Sequence, residues 1–113
     1  MTDKIIVLVT CGSPGEARKI GRSLVEQRLV ACANIFQSPV RSIYRWKGKV
    51  ENAKEFLVIL KTSRRRFTAV ERAIKSLHSY EVPEIIALPI AGGLGDYLEW
   101  ISESVGGAGR RKK

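Results

Sequence analysis

A small set of side chains in this 113-residue chain could hold a metal ion. His78 is the only histidine, Cys11 and Cys32 are the only cysteines, and Glu84 follows the histidine by six positions. Imidazole nitrogen and thiolate sulfur suit copper and zinc, and a carboxylate oxygen can complete such a site. These four side chains are therefore candidate metal ligands. The alternative interpretation is a helix-end imidazole bonded to the backbone, with two inert thiols elsewhere.

A second candidate site surrounds Pro83, where a predicted helix passes into a predicted strand. The tyrosine and carboxylates that flank this proline would form the rim of a cleft, together with side chains of neighbouring elements. The alternative is a rigid chain reversal that leaves exposed carboxylates. Besides Glu84, the residues predicted to line an inter-subunit cleft are Lys61, Tyr80, Glu81, Tyr97 and Trp100.

No group of side chains has the pattern of an enzyme active site. Nucleophilic catalysis needs a nucleophile, a base and a group that orients the base, and the single histidine has no adjacent serine or cysteine with such support. An acylphosphatase-like phosphate cradle is the competing interpretation, because Gly12 and Gly15 follow the first predicted strand. No arginine precedes Arg18 in that segment, and a lone glycine-rich turn is a weak signal. We predict a binding protein and not an enzyme.

Hydrophobic periodicity predicts the elements that position these residues. An apolar run predicts a strand over residues 4–10, and Ser13 with Glu16 predicts a capping box that opens a helix over 14–28. A second helix is predicted from the apolar stripe of Phe67, Val70, Ile74 and Leu77, with Thr62 or Ser63 as its cap. Asp96 is predicted to cap a third helix. Further strands are predicted over residues 30–36, 40–46, 49–61 and 85–90. This order, β-α-β-β-α-β with a terminal helix, predicts an α+β, ferredoxin-like fold.

A hairpin with Lys47-Gly48 as its turn is predicted over residues 40–61, and it is long for a chain of this size. Its second strand, residues 49–61, would span roughly 40 Å, whereas a globule of this length has a radius of gyration of only about 13 Å. The hairpin is therefore expected to overhang the core and to carry Tyr44 and Trp46 near its tip. Such an overhang needs a partner surface, so we predict an oligomer with these two aromatic residues in its interface.

The charge of the chain is strongly basic, with 20 Lys and Arg against 11 Asp and Glu, a formal +9. Four of these charges belong to Arg110–Lys113, which follow a glycine-rich stretch. We therefore predict one domain over residues 1–105 and a flexible basic tail over 106–113. The other basic run, Arg64–Arg66, is interpreted as a solvated turn.

A basic ferredoxin-like chain also suggests an RNA-binding module. That function needs aromatic residues alternating on a central strand, and residues 49–61 offer only Phe56. Nucleic acid is therefore not an expected partner. The sequence contains no apolar run long enough for a membrane span and no signal-peptide pattern, so we predict no membrane association and a cytoplasmic location.

Five segments of the chain stand in ordered spacing: Ala31–Ile35, Ser42–Lys49, Leu60–Thr62, His78–Ile85 and Asp96–Ile101. Together these segments resemble the CutA family, the divalent-cation tolerance proteins, over residues 4–104. The resemblance implies a ferredoxin-like subunit in a tight homotrimer held by the long hairpin, with an architecture similar to the PII signalling proteins. It also implies a role in tolerance to copper or another divalent cation. The alternative is a PII-like small-ligand signalling or protein-anchoring trimer that binds no physiological metal.

Two positions depart from the pattern of this family. The residue after His78 is usually proline, and here it is Ser79. Some members carry a cysteine on the first strand near a proposed copper site, whereas here Val9 is the closest match and Cys11 lies two positions later. A cysteine-dependent copper site therefore does not transfer directly from the resemblance.

Overall fold

The computed structural model describes residues 1–106, which form five strands and three helices. Nearly all of the predicted tail over 106–113 lies outside the described residues, and the domain boundary at residue 105 stays a prediction. No helix within the described range is long and apolar enough to cross a membrane. In chain order the elements are β1 (Lys4–Cys11), α1 (Pro14–Glu26), β2 (Cys32–Ile35), β3 (Val40–Trp46), β4 (Lys49–Ser63), α2 (Phe67–Leu77), β5 (Ile85–Pro89) and α3 (Gly95–Ser104).

The five strands form an antiparallel sheet in the order β2-β4-β1-β5, and β3 extends it at the free end of β4. β1 pairs with the second half of β4, from Lys4 opposite Ser63 to Cys11 opposite Phe56. β2 pairs with that same half of β4, and β3 with its first half. The two short strands thus act as one strand interrupted near Pro39, which has no backbone N–H to donate. The predicted α+β, ferredoxin-like order with a terminal helix is confirmed.

Helices α1 and α2 cover one face of the sheet and bury the core against it. The close approach of α1 to β2 requires Gly21, because a Cβ at this position would lie 3.0 Å from the Cβ of Ala33. A smaller cluster lies under α3, where Ile101 and Val105 pack with Ala31. The largest fully buried side chains of the main core are Val7, Val9, Ile20, Leu24, Val30, Val58, Leu60, Val70 and Ile74.

The opposite face of the sheet carries aliphatic side chains that remain open to solvent. Strand register aligns Ile86 with Leu8 and Leu88 with Ile6, so the patch continues from β5 onto β1. Ile86 and Leu88 are 48% and 47% exposed. Contiguous apolar surface of this kind marks an interaction site. We call this surface the open face, and its residues are Ile6, Leu8, Leu57, Ile59, Ile86 and Leu88.

The hairpin of β3 and β4 overhangs the core, and the chain measures 52 × 26 × 24 Å along its principal axes. Lys47 and Gly48 form the predicted turn with positive φ angles of 52° and 81°, the combination that a type I′ hairpin turn requires. Tyr44 and Trp46 are both partly exposed on the hairpin, and Ile43 and Val50 are more exposed still. The predicted overhang of apolar side chains is therefore present in the single chain.

Only the first of the three predicted helix caps forms. Ser13 Oγ accepts a hydrogen bond from the Glu16 amide at 3.1 Å and caps α1. The prediction that Thr62 or Ser63 caps the second helix is wrong, because β4 continues through Ser63. The buried Thr62 hydroxyl instead donates to the Leu29 carbonyl at 2.7 Å, and a single 3-10 turn precedes α2. Likewise α3 begins at Gly95, so Asp96 lies in its first turn and not at its cap.

Arg66, in that 3-10 turn, closes the carboxyl end of α3. Its Nε donates to the Val105 carbonyl at 2.8 Å, and its Nη2 donates to the Gly106 carbonyl at 3.3 Å.

Arg66→Met keeps most of the packing but removes both charged hydrogen bonds and a cation at a helix C-terminus. We expect the free energy of unfolding to fall by roughly 1–2 kcal/mol, as measured by urea denaturation at fixed protein concentration. Arg65→Met, at an exposed neighbour, is the control, and an equal loss in both variants would contradict this role.

Candidate functional site

His78 lies immediately after α2 and is 8% exposed. Its Nε2 lies 2.7 Å from the Thr10 carbonyl oxygen, and its Nδ1 accepts a hydrogen bond from the Tyr80 amide at 3.0 Å. An acceptor at Nδ1 requires the proton to be on Nε2, so the ring donates to Thr10. Both ring nitrogens are therefore bonded to the backbone, as the alternative interpretation of this histidine expected.

Two more potential metal ligands converge on the same ring. The ligand atoms of Cys11, Glu16 and His78 all lie within 4.8 Å of one another. Glu16 Oε2 lies 3.7 Å from His78 Nδ1 and accepts a hydrogen bond from the Ser79 amide at 2.7 Å. The end of β1, the first turn of α1 and the end of α2 supply these three side chains. We call them the Cys-Glu-His cluster.

The Cys-Glu-His cluster combines a neutral thiol with a charged carboxylate. Burial, with the negative charges of Glu16 and Glu55 as smaller causes, raises the pKa of the Cys11 thiol to about 12. Burial also acts to raise the pKa of Glu16, but the hydrogen bonds that its carboxylate accepts from Ser79 outweigh burial and lower that pKa. At neutral pH the carboxylate is therefore ionised while the thiol keeps its proton.

Cys32 and Glu84 do not join this cluster within the described part of the chain. Cys32 lies in β2 opposite Lys61, and its thiol donates to Asn34 Oδ1 at 3.5 Å. Cys11 lies opposite Phe56, five residues away along β4, which corresponds to about 17 Å. The structure thus brings together two of the four candidate ligands from the sequence.

The sequence-based prediction of the metal site missed Glu16, which it assigned only to a helix cap. The carboxylate turns to the Ser79 amide, whereas the predicted capping box would return it to Ser13. The signal available in the sequence was its position three residues after the Ser13 cap and five after Cys11. Placing it beside His78 required the packing of α1 against α2, which periodicity alone does not specify.

A groove of about 580 Å³ lies at the root of the hairpin. The Tyr80 hydroxyl donates a hydrogen bond to Glu55 Oε2 at 2.9 Å across the floor of this groove. Burial and the Glu55 carboxylate raise the pKa of Tyr80 well above its usual value, so the phenol keeps the proton it donates. We call this the hairpin groove, and the lining residues used below are Tyr44, Trp46, Glu55, Tyr80, Glu81 and Glu84.

The other predicted cleft residues form a separate group near α3. Lys61 Nζ lies 3.4 Å from the Tyr97 hydroxyl and 5.6 Å from the centroid of its ring. The Tyr97 and Trp100 rings pack with centroids 5.4 Å apart. Lys61 is six residues from Glu55 along β4, about 20 Å. In one chain, therefore, Lys61, Tyr97 and Trp100 are apart from Tyr80 and Glu81, and a shared cleft would need two copies.

Comparison with known proteins gives consistent matches along nearly the whole described chain. A family model described as CutA1 divalent ion tolerance protein matches residues 5–104. The divalent-cation tolerance protein CutA of Thermus thermophilus is 46% identical over 101 residues, 89% of this chain and 97% of that protein. The protein of the same name from Archaeoglobus fulgidus is 43% identical over 99 residues, 88% of this chain and 95% of that protein.

Solved structures give the same result for the fold. The structure of the periplasmic divalent cation tolerance protein CutA from Archaeoglobus fulgidus is 42% identical, with a TM-score of 0.88 over 91% of this chain and 99% of that chain. The structure of CutA from Xylella fastidiosa is 34% identical, with a TM-score of 0.89 over 93% of this chain and 100% of that chain.

Proposed function

Because the chain belongs to the CutA1 divalent ion tolerance protein family, we propose that it binds a divalent cation and acts in the response to metal ions. Copper is the first metal that we propose, because imidazole and thiolate ligands favour it. The observation that carries this proposal is the convergence of the thiol of Cys11, the carboxylate of Glu16 and the imidazole of His78 within 4.8 Å. Cys32 and Glu84 stay outside the ligand set that we propose.

The donor set fits a transition metal in type but needs two local changes before it can bind. The Cys11 thiol must lose its proton, and a pKa of about 12 opposes that step at neutral pH. Nδ1 of His78, which faces Glu16, must exchange the Tyr80 amide for the metal. Binding should therefore release protons and strengthen as the pH rises.

We propose a homotrimer as the assembled state, formed through the open face and the hairpin. Ile86 and Leu88 are half-exposed in the single chain, and Tyr44 and Trp46 extend the apolar surface along the overhang.

We also propose a binding role without catalysis, because the protonated thiol of Cys11 is a poor nucleophile. The cytoplasm is the location that we propose, because its reducing conditions suit the free thiols of Cys11 and Cys32.

Zinc titration of the full-length protein, followed by calorimetry in two buffers, tests the metal site. We expect one bound ion per chain and a release of protons on binding. The zinc affinity should be at least about tenfold lower in Cys11→Ser and in Glu16→Gln. Cys32→Ser is the matched control and should bind as the wild type does. Competition with Cu²⁺ should displace the zinc, because divalent copper binds such ligands more tightly than zinc does. If zinc binding is unchanged in both cluster variants, the proposed metal site is wrong.

A further inference from the structure

We propose that Tyr80 sets the metal affinity of the Cys-Glu-His cluster, because it holds the backbone amides of residues 79–80 against two of the ligand atoms. This role rests on the function proposed above, since it concerns the same metal site. Tyr80 itself supplies no ligand atom and acts through its neighbours. Residues 79–80 lie directly after His78, in the stretch between α2 and β5, and we call them the 79–80 segment.

Two consecutive amides of this segment occupy the ligand atoms that face each other in the cluster. The Ser79 amide donates to Glu16 Oε2 at 2.7 Å, and the Tyr80 amide donates to His78 Nδ1 at 3.0 Å. These two acceptor atoms lie 3.7 Å apart. The lone pair with which Nδ1 accepts the amide is the one that would bind a metal. A metal can therefore bind Nδ1 only after the Tyr80 amide moves away, and the Ser79 amide competes with it for the carboxylate.

The side chain of Tyr80 restrains the 79–80 segment in this position. Its hydroxyl donates to Glu55 Oε2 at 2.9 Å, and its ring centroid lies 4.6 Å from that of His78. The ring also covers Gly12, where a Cβ would lie 3.4 Å from the Tyr80 hydroxyl oxygen. A hydrogen bond to a carboxylate is stronger than one between neutral groups. Both partners belong to one chain and Glu55 is only 7% exposed there, so this restraint requires neither an open hairpin groove nor an unpaired carboxylate.

The restraint lowers the apparent affinity of the cluster for a metal. That affinity is reduced by the fraction of molecules in which the site is free to bind. Loss of the hydrogen bond between Tyr80 and Glu55 raises the fraction in which the 79–80 segment has moved. A hydrogen bond to a charged group is strong enough to change this fraction about tenfold. Removal of the Tyr80 hydroxyl should therefore tighten metal binding, the opposite of the effect expected for loss of a ligand.

Zinc calorimetry of full-length Tyr80→Phe tests this role. We expect zinc to bind about tenfold more tightly than to the wild type, because the ring stays and only the hydroxyl is lost. Glu55→Gln keeps an acceptor for the hydroxyl and removes its charge, so it should give a smaller gain, and it guards against misfolding of the first variant. Thr62→Val is the matched control, since it removes a buried hydroxyl bonded to Leu29, away from the cluster, and should bind zinc as the wild type does.

Because His78 is the only histidine, the exchange of partners at its ring can be observed directly. In nitrogen NMR of protein with isotope-labelled histidine, zinc should shift the Nδ1 resonance while Nε2 keeps its proton and its bond to Thr10. Hydrogen exchange at residues 79–80, followed by mass spectrometry, should be faster in zinc-bound wild type and in metal-free Tyr80→Phe than in metal-free wild type. If zinc shifts Nε2 instead of Nδ1, the Tyr80 amide does not compete with the metal and the proposal is overturned.

The variants also separate this role from the metal site on which it rests. If Cys11→Ser weakens zinc binding but Tyr80→Phe leaves it unchanged or weakens it, the metal site stands and the role of Tyr80 is wrong. If zinc binding responds to neither Cys11→Ser nor Glu16→Gln, the metal site is wrong and the role of Tyr80 falls with it. Tyr80→Phe should sediment as the wild type does. A gain in affinity that accompanies a change of oligomeric state would assign the effect to the subunit interface and overturn the proposal.

Discussion

Iodoacetamide is expected to modify Cys32 of the native, metal-free protein and to leave Cys11 almost untouched. The thiolate is the reacting species, and the rise of the Cys11 pKa from 9.0 to about 12 lowers its thiolate fraction about a thousandfold at neutral pH. Cys11 is also fully buried, whereas Cys32 is partly exposed. Mass spectrometry of peptides after timed labelling gives both rates in the same sample.

The pH dependence of this labelling follows from the same shift. Below pH 12 the thiolate fraction of Cys11 should rise tenfold with each pH unit, whereas a thiol of ordinary pKa levels off above pH 9. Because the folded state favours the neutral thiol, the Cys11 contribution to folding is complete below the unfolded pKa. That contribution is lost as the pH rises toward the folded value. In guanidinium chloride the two cysteines should react alike, and equal rates in the native protein would contradict the burial of Cys11.

Sequence periodicity predicted the order of elements because each core face repeats with its own period. The stripe of Phe67, Val70, Ile74 and Leu77 predicted α2, and Lys47 with Gly48 predicted the hairpin turn that both positive φ angles confirm. The end of β4 could not be predicted in this way. Thr62 is a favourable helix cap by residue type, but pairing with Ile5 and the hydrogen bond to Leu29 keep it in the strand. Those partners are distant in sequence, so tertiary contacts override the local preference of Thr62 for a helix cap.

The candidate sites show the same division between residue type and placement. His78 and Cys11 were identified by chemistry alone, because so few other residues offer nitrogen or sulfur ligands. The sequence does not distinguish Glu16 from the other carboxylates of the chain as a candidate ligand. Only the packing of α1 beside the end of α2 brings its carboxylate to the imidazole of His78. Lys61 and Glu55 are close in sequence but about 20 Å apart, because an extended strand separates residues that a helix would bring together.

The wild-type protein is expected to sediment at micromolar concentration as a trimer, three times the 12.6 kDa of the chain. The introduction of one charge on the open face should then convert it to monomers. Ile86 is half-exposed and lies on β5, which within residues 1–106 pairs only with β1, so Ile86→Glu should leave the fold of the single chain intact. In a trimer it would place three unpaired carboxylates in apolar contacts, each costing several kcal/mol.

Val25→Glu is the matched control, because Val25 is also partly exposed but lies on α1, away from the open face. Ile43→Glu tests the hairpin in the same way and should also weaken the assembly. A contact between the hairpin of one copy and the open face of the next is heterologous, and three such contacts close a ring. Charging either surface should therefore break all three contacts at once, so dissociation should be complete and not partial. A wild-type monomer, or a trimer that survives Ile86→Glu, would show that the open face serves another partner.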